Sequence, residues 1–160
     1  MTNDTPPSFP PDQAARQRWM GVLARTPLER LETALAALPA APAYTHLRRP
    51  EIGSALVRGR AGGSGDRFNL GEMTITRCSV RLDDSAGGTV GHAYVAGRAR
   101  RHAELAAVFD ALLQTPDHHD RITASLIAPA AEAQAAARAE TIAKAQATRV
   151  DFFTMVRGED

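Results

Sequence analysis

The stretch FNLGEMTITRCSVRL, residues 68–82, decides the fold of this chain. From Met73 to Leu82 its residues alternate: Thr74, Thr76, Cys78, Val80 and Leu82 share one face, and Met73, Ile75, Arg77, Ser79 and Arg81 share the other. A strand turns successive side chains to opposite sides, so a period of two predicts a strand with one face against a core. On either side lie glycine-containing segments, GRAGGSG (59–65) and GGTVGHAY (87–94). The first reads as a loop between strands. Asp83–Gly88 reads as a turn, and Thr89–Ala96 as the next strand. The short connection makes that pairing antiparallel. Upstream, Ala43–Arg49 and Glu51–Arg60 have strand-like content and are separated at Pro50, which gives about four strands in all.

Helices flank this meander. One is expected from Pro11 to about Arg25, with Trp19, Val22 and Leu23 on its apolar side. Thr26-Pro27-Leu28-Glu29 is a start signal for a second: threonine caps, proline takes the first turn, and glutamate completes a capping box. Leu28, Leu31, Leu35 and Leu38 follow at helical spacing, and Pro39 and Pro42 close the segment. After Gly97, Leu105, Val108, Phe109 and Leu112 form a stripe from Ala99 to Gln114. Thr115-Pro116 opens another helix with Ile122, Leu126 and Ile127 inward. Pro129 is expected to kink or divide it. Residues 130–148 are alanine-rich, with Ile142 the one large aliphatic side chain. Helices, then strands, then helices is an α+β pattern without βαβ alternation. The expected fold is an antiparallel sheet of about four strands flanked by N-terminal and C-terminal helices. Residues 11–160 form one domain and residues 1–10 a flexible leader.

The chain has 160 residues, 44% of them hydrophobic and 23% charged, an ordinary globular composition. No apolar run approaches the roughly 18 residues of a membrane span, and the polar, proline-rich start lacks the features of a secretory signal. A cytoplasmic location is expected. A net charge of +1 gives no argument for nucleic acid. The basic residues are 18 arginines and one lysine, Lys144. Arginine suits phosphate and carboxylate, although a GC-rich genome explains most of this excess.

Several sites could carry chemistry. The loop Gly59–Gly65, with Gly62 and Gly63 at its centre and Arg58, Arg60 and Arg67 beside it, could present N–H groups to a phosphate. It lacks the GK[ST] ending of a P-loop, and a plain connection between strands is the favoured reading. His92 and His102 have no partner at metal spacing, so each is read as a partly buried, hydrogen-bonded histidine; His118 and His119 are read as solvated. Cys78 reads as a small core residue. Arg77, between apolar neighbours, needs an acceptor: either an internal one, Glu72 or Glu51, or a group on another chain. No catalytic constellation and no metal site is expected. The final VDFFTMVRGED (150–160) carries Phe152, Phe153, Met155, Val150 and Val156. It is unusually apolar for a chain end and is expected to be covered.

Taken together, RQRWMGVLAR (16–25), GRAGGSG, FNLGEMTITRCSVRL, GHAYVAGRARRHAELAAVFDALLQ (91–114) and RVDFFTMVRGE (149–159) resemble the PhnG family of the bacterial carbon–phosphorus lyase system. The resemblance covers most of the chain and departs at Ser64–Arg67 and Ala99. It implies a subunit of a core assembly of G, H, I and J chains. In that family G acts with H, I and the L protein to replace the adenine of ATP by a phosphonate, giving a ribose 1-phosphonate 5-triphosphate. The I chain is thought to hold the nucleosidase-like chemistry, and the J chain uses an iron–sulphur cluster. One cysteine cannot hold such a cluster, so no cofactor is expected here. A required but non-catalytic subunit, placed against the I chain or a second copy of itself, is the implied role. Glu72, Arg77, Arg149, Asp151, Phe152, Phe153, Met155 and Arg157 are then interface candidates. Two alternatives stay open: a substrate-contacting subunit using Arg58, Arg60 and Arg67, and a free-standing anion-binding domain.

Overall fold

A computed structural model describes residues 12–60, 65–83 and 88–148. The expected leader, Gly62 and Gly63, and the arm that carries Arg149, Asp151, Phe152, Phe153, Met155 and Arg157 lie outside the described residues. In chain order the elements are α1 (Gln13–Leu23), α2 (Leu28–Ala36), β1 (Tyr44–Arg60), β2 (Arg67–Leu82), β3 (Val90–Ala96), α3 (Arg100–Leu112), α4 (Pro116–Ile122) and α5 (Ala128–Ala147). A π-helical turn, Thr123–Ile127, joins α4 to α5. The class is α+β, as the order of elements predicts.

The sheet has three strands in the order β1-β2-β3, all antiparallel, where about four were expected. Pro50 does not divide β1. The register with β2 slips between His46 and Arg48 and again between Arg48 and Glu51. These irregularities absorb the missing N–H on an edge strand, where proline is tolerated. Strand β2 also starts at Arg67 rather than at Met73. Its inward face is the predicted one: Thr76, Cys78, Val80 and Leu82 are buried, while Arg77 and Arg81 are exposed.

Helix α3 lies against β2 and β3 and is buried on most sides, from Ala103 and Leu105 to Leu112. Its alanines allow this closeness. A Cβ on Gly91 would stand 2.0 Å from the Ala107 carbonyl oxygen and 2.6 Å from the Ala111 nitrogen, so only glycine fits beneath the helix. Thr76, fully buried, locks the helix entry to the sheet. Its hydroxyl donates to the Gly97 carbonyl (2.6 Å) and accepts from the Ala99 N–H (2.9 Å). Trp19 and Leu23 of α1, Leu31 of α2, and Ile122 and Leu126 close the core around Phe109.

Helix α1 begins at Gln13, near the expected start, and the Asp12 carboxylate caps it by accepting from the Ala15 N–H. The start of α2 differs from the expected one. Thr26 does not cap α2: its hydroxyl donates back to the Val22 carbonyl at 2.9 Å, so α2 starts behind Pro27 without a side-chain cap. The helical run opened at Pro116 is divided beside Pro129, which falls in the first turn of α5. The wider turn at Thr123–Ile127 stands immediately before it and accommodates the ring and the missing donor. Beyond Gln134, α5 is exposed along its whole length to Thr148.

Candidate functional site

The two long strands outrun the third. β3 ends at Ala96, opposite Ile75, while β2 continues down to Arg67 and β1 up to Arg60. Ser54–Arg60 and Arg67–Thr74 therefore form a two-stranded ribbon about 25 Å long that projects past the helix-backed sheet. Directly opposed residues of an antiparallel pair share a face. One face of the ribbon carries Ala55 opposite Met73, Val57 opposite Gly71, and Gly59 opposite Phe68. Leu70 lies over Gly59, its Cδ1 2.6 Å from where a Cβ would stand. The other face pairs Leu56 with Glu72, Arg58 with Asn69, and Arg60 with Arg67.

Large apolar side chains on this ribbon are open to solvent: Leu56 is 56% exposed, Phe68 47%, Leu70 61% and Met73 40%. A two-stranded ribbon of this kind has no core of its own. Phe68, Leu70 and Met73 share one face and Leu56 lies on the other, which makes the ribbon a candidate contact surface. The candidate phosphate residues Arg58, Arg60 and Arg67 are brought to one face, all exposed, and none forms an ion pair among the described residues.

Glu72 sits on the arginine face of the ribbon, whereas Arg77 lies farther along the sheet. Arg77 donates through Nε to Glu51 Oε1 at 2.6 Å, and Arg48 donates to the same oxygen. Glu51, one of the two internal acceptors expected for Arg77, is thus engaged by it. Hydrogen bonds from Arg48 and then Arg77 hold the Glu51 carboxyl below its ordinary range.

Sequence reasoning missed two polar clusters. The first is centred on Asp110, fully buried within α3. Its carboxylate accepts from Arg16 Nη2 at 2.7 Å and Nε at 3.2 Å, from Trp19 Nε1 at 2.8 Å, and from the His92 backbone N–H at 2.9 Å. Arg16 and Gln114 also donate to the Val90 carbonyl. These contacts satisfy the open edge of β3 with side chains. A lone aspartate inside AAVFDALL was the available signal, because a buried carboxylate requires donors.

The second cluster surrounds Glu104. Tyr44 Oη and Arg101 Nη1 each donate to it at 2.9 Å, and His46 Nε2 is 3.1 Å away. Burial pushes the Glu104 carboxyl up, but the hydrogen bonds from Arg101 and Tyr44 and the charges of Arg101 and His46 bring it below its ordinary value. For Tyr44, burial and the Glu104 bond both push the phenol up.

The remaining candidates are structural. Burial pushes the Cys78 thiol up to about 11, so it stays protonated at neutral pH. His102 Nε2 donates to the Leu23 carbonyl at 2.8 Å. His92 is exposed rather than partly buried, sharing a hydrogen bond with the Ser79 hydroxyl at 2.8 Å. His119 is not solvated as expected: its Nδ1 donates to the Leu113 carbonyl at 2.7 Å, and its ring meets Trp19 edge-on. Among the described residues, no three His, Cys, Asp or Glu side chains are grouped to hold a metal, and no helix is long and apolar enough to cross a membrane.

Residues 14–158 match the family model described as phosphonate metabolism protein PhnG. Over 149 residues the chain is 45% identical to the alpha-D-ribose 1-methylphosphonate 5-triphosphate synthase subunit PhnG of Rhizobium meliloti (strain 1021), covering 92% of each chain.

Proposed function

This chain belongs to the PhnG family of phosphonate-metabolism proteins, and from that premise we propose that it is a structural subunit of a multi-subunit synthase. In company with H-, I- and L-type partners it supports transfer of the ribose 5-triphosphate of ATP onto a phosphonate, with release of adenine; a J-type chain completes the assembly. The name of the relative, a synthase subunit, supports the subunit role. The observation that carries the reading is the projecting ribbon with Leu56, Phe68, Leu70 and Met73 in solvent. An isolated protein gains nothing from such surface, while an assembled one buries it.

The described polar groups fit that role. Asp110, Glu104 and Glu51 are each engaged by donors from their own chain. Spread over three separate places, they form no acid–base pair around a common cavity.

Two measurements test the reading. Co-expression of the tagged chain with its proposed partner subunits should yield a stoichiometric complex. The purified chain alone should release no adenine from ATP when a phosphonate is added. A chain that copurifies with nothing, or that turns over ATP alone, overturns it.

A further inference from the structure

We propose that the β1–β2 ribbon is a finger that docks by its two faces in a cleft of a neighbouring protein subunit, one wall of the cleft apolar and the other rich in carboxylates. This rests on the subunit reading and specifies the chemistry of the partner's surface.

The apolar wall answers Val57, Phe68, Leu70 and Met73, which share a face. The acidic wall answers Arg58, Arg60 and Arg67. Arg60 and Arg67 are direct cross-strand partners, an arrangement that repels without a counter-charge. Arg16, Arg48, Arg77 and Arg101 have carboxylate partners within the chain, in Asp110, Glu51 and Glu104. On the ribbon, no described carboxylate forms an ion pair with the three arginines, although Glu72 stands on the same face. Planar guanidinium forks bind carboxylates in pairs of hydrogen bonds, which fixes register as well as charge.

The edges of the ribbon argue for recognition by faces rather than by an added strand. The register slips between Val57 and Arg58, and Gly71 opposite has φ 150°, a value that favours glycine. A bulge of this kind twists the ladder and discourages edge-to-edge pairing. A polyphosphate nucleotide would satisfy the arginines alone. It would leave the apolar face in water, whereas a protein cleft covers both.

The test uses the co-expressed complex and compares the amount of assembly retained at about 0.1 M and about 0.5 M salt, a range over which exposed charges become screened. Arg58→Glu/Arg60→Glu/Arg67→Glu should reduce the recovered complex at least tenfold at the lower salt. The corresponding triple Gln variant should retain part of it and lose the salt dependence. Phe68→Ser/Leu70→Ser should reduce recovery at both salts. All the altered side chains are exposed, so each isolated variant should melt as the wild type does, and the Gln triple decides the matter should the Glu triple fail to fold. Wild-type assembly by the Glu triple, or by the Gln triple with its salt dependence unchanged, overturns the proposal. Intact assembly with ATP affinity reduced tenfold or more assigns the arginines to the nucleotide and overturns it as well. Failure of the wild-type chain itself to copurify sinks the subunit reading instead.

Discussion

Asp110 shows how one residue can hold two layers together. Fully buried in the central helix, it joins α1 through Arg16 and Trp19 and the edge of β3 through the His92 N–H. Replacing it by alanine strands the Trp19 N–H and the Arg16 guanidinium at once. Asp110→Ala should therefore destabilise by about 3–5 kcal/mol, read from denaturant unfolding; a loss below about 1 kcal/mol would mean that water replaces the carboxylate at little cost. Glu104 supplies a pH prediction. Its folded carboxyl lies below the ordinary value of 4.5, so its contribution is present above that value and is lost as pH falls through the folded one. Denaturation midpoints should drop as pH is lowered below about 4.5, and Glu104→Gln should flatten that slope. An unchanged slope in the variant would remove Glu104 as a cause. Neither cluster was legible from spacing, because its members stand far apart in the chain: Arg16 is 94 residues from Asp110, and Tyr44 is 60 from Glu104.

At the scale of elements, the strand that carries Cys78 and Val80 could be read from its alternation, because one face is buried and the other wet. The alternation fades where both faces of the strand are exposed. Residues 67–74 are exposed on both faces of β2, so no period marked them, and the strand began earlier than its pattern. Pro50 misled, whereas Pro129 marks a real division of the helical run. A proline forbids one donor and one close contact, and a register slip or a π turn nearby supplies the slack. The seat of α3 on β3 gives the element-scale prediction. Gly91→Ala drives a methyl into the Ala107 carbonyl and the Ala111 amide, both helix backbone. Backbone cannot rotate away as a side chain can. The variant should lose about 1–3 kcal/mol or more of stability, measured by thermal or denaturant unfolding. Unaltered stability would show that α3 shifts freely on the sheet.

The molecule as a whole has a closed core and open extremities. Trp19, Leu23, Leu31, Phe109, Ile122 and Leu126 belong to one buried cluster. Outside it stand the ribbon and the second half of α5, exposed from Ala135 to Thr148. That helix is alanine-rich, so it forms readily but offers little area to cover anything else. It leads into VDFFTMVRGED, whose two phenylalanines, methionine and two valines could contribute on the order of 5–10 kcal/mol on burial, before ordering costs. The helix before it is exposed from Ala135 to Thr148 and buries no large side chain of its own there. Burial of the segment is therefore expected on another subunit, with Arg149, Asp151 and Arg157 at the rim, where charge sets specificity more than affinity. Deleting residues 150–160 should leave the thermal midpoint of the isolated chain within a degree or two, a change of only a few tenths of a kcal/mol. The same deletion should abolish copurification with the partner subunits. A truncated chain that unfolds would place the segment within its own domain. One that assembles normally would leave the ribbon as the surface through which the complex is held.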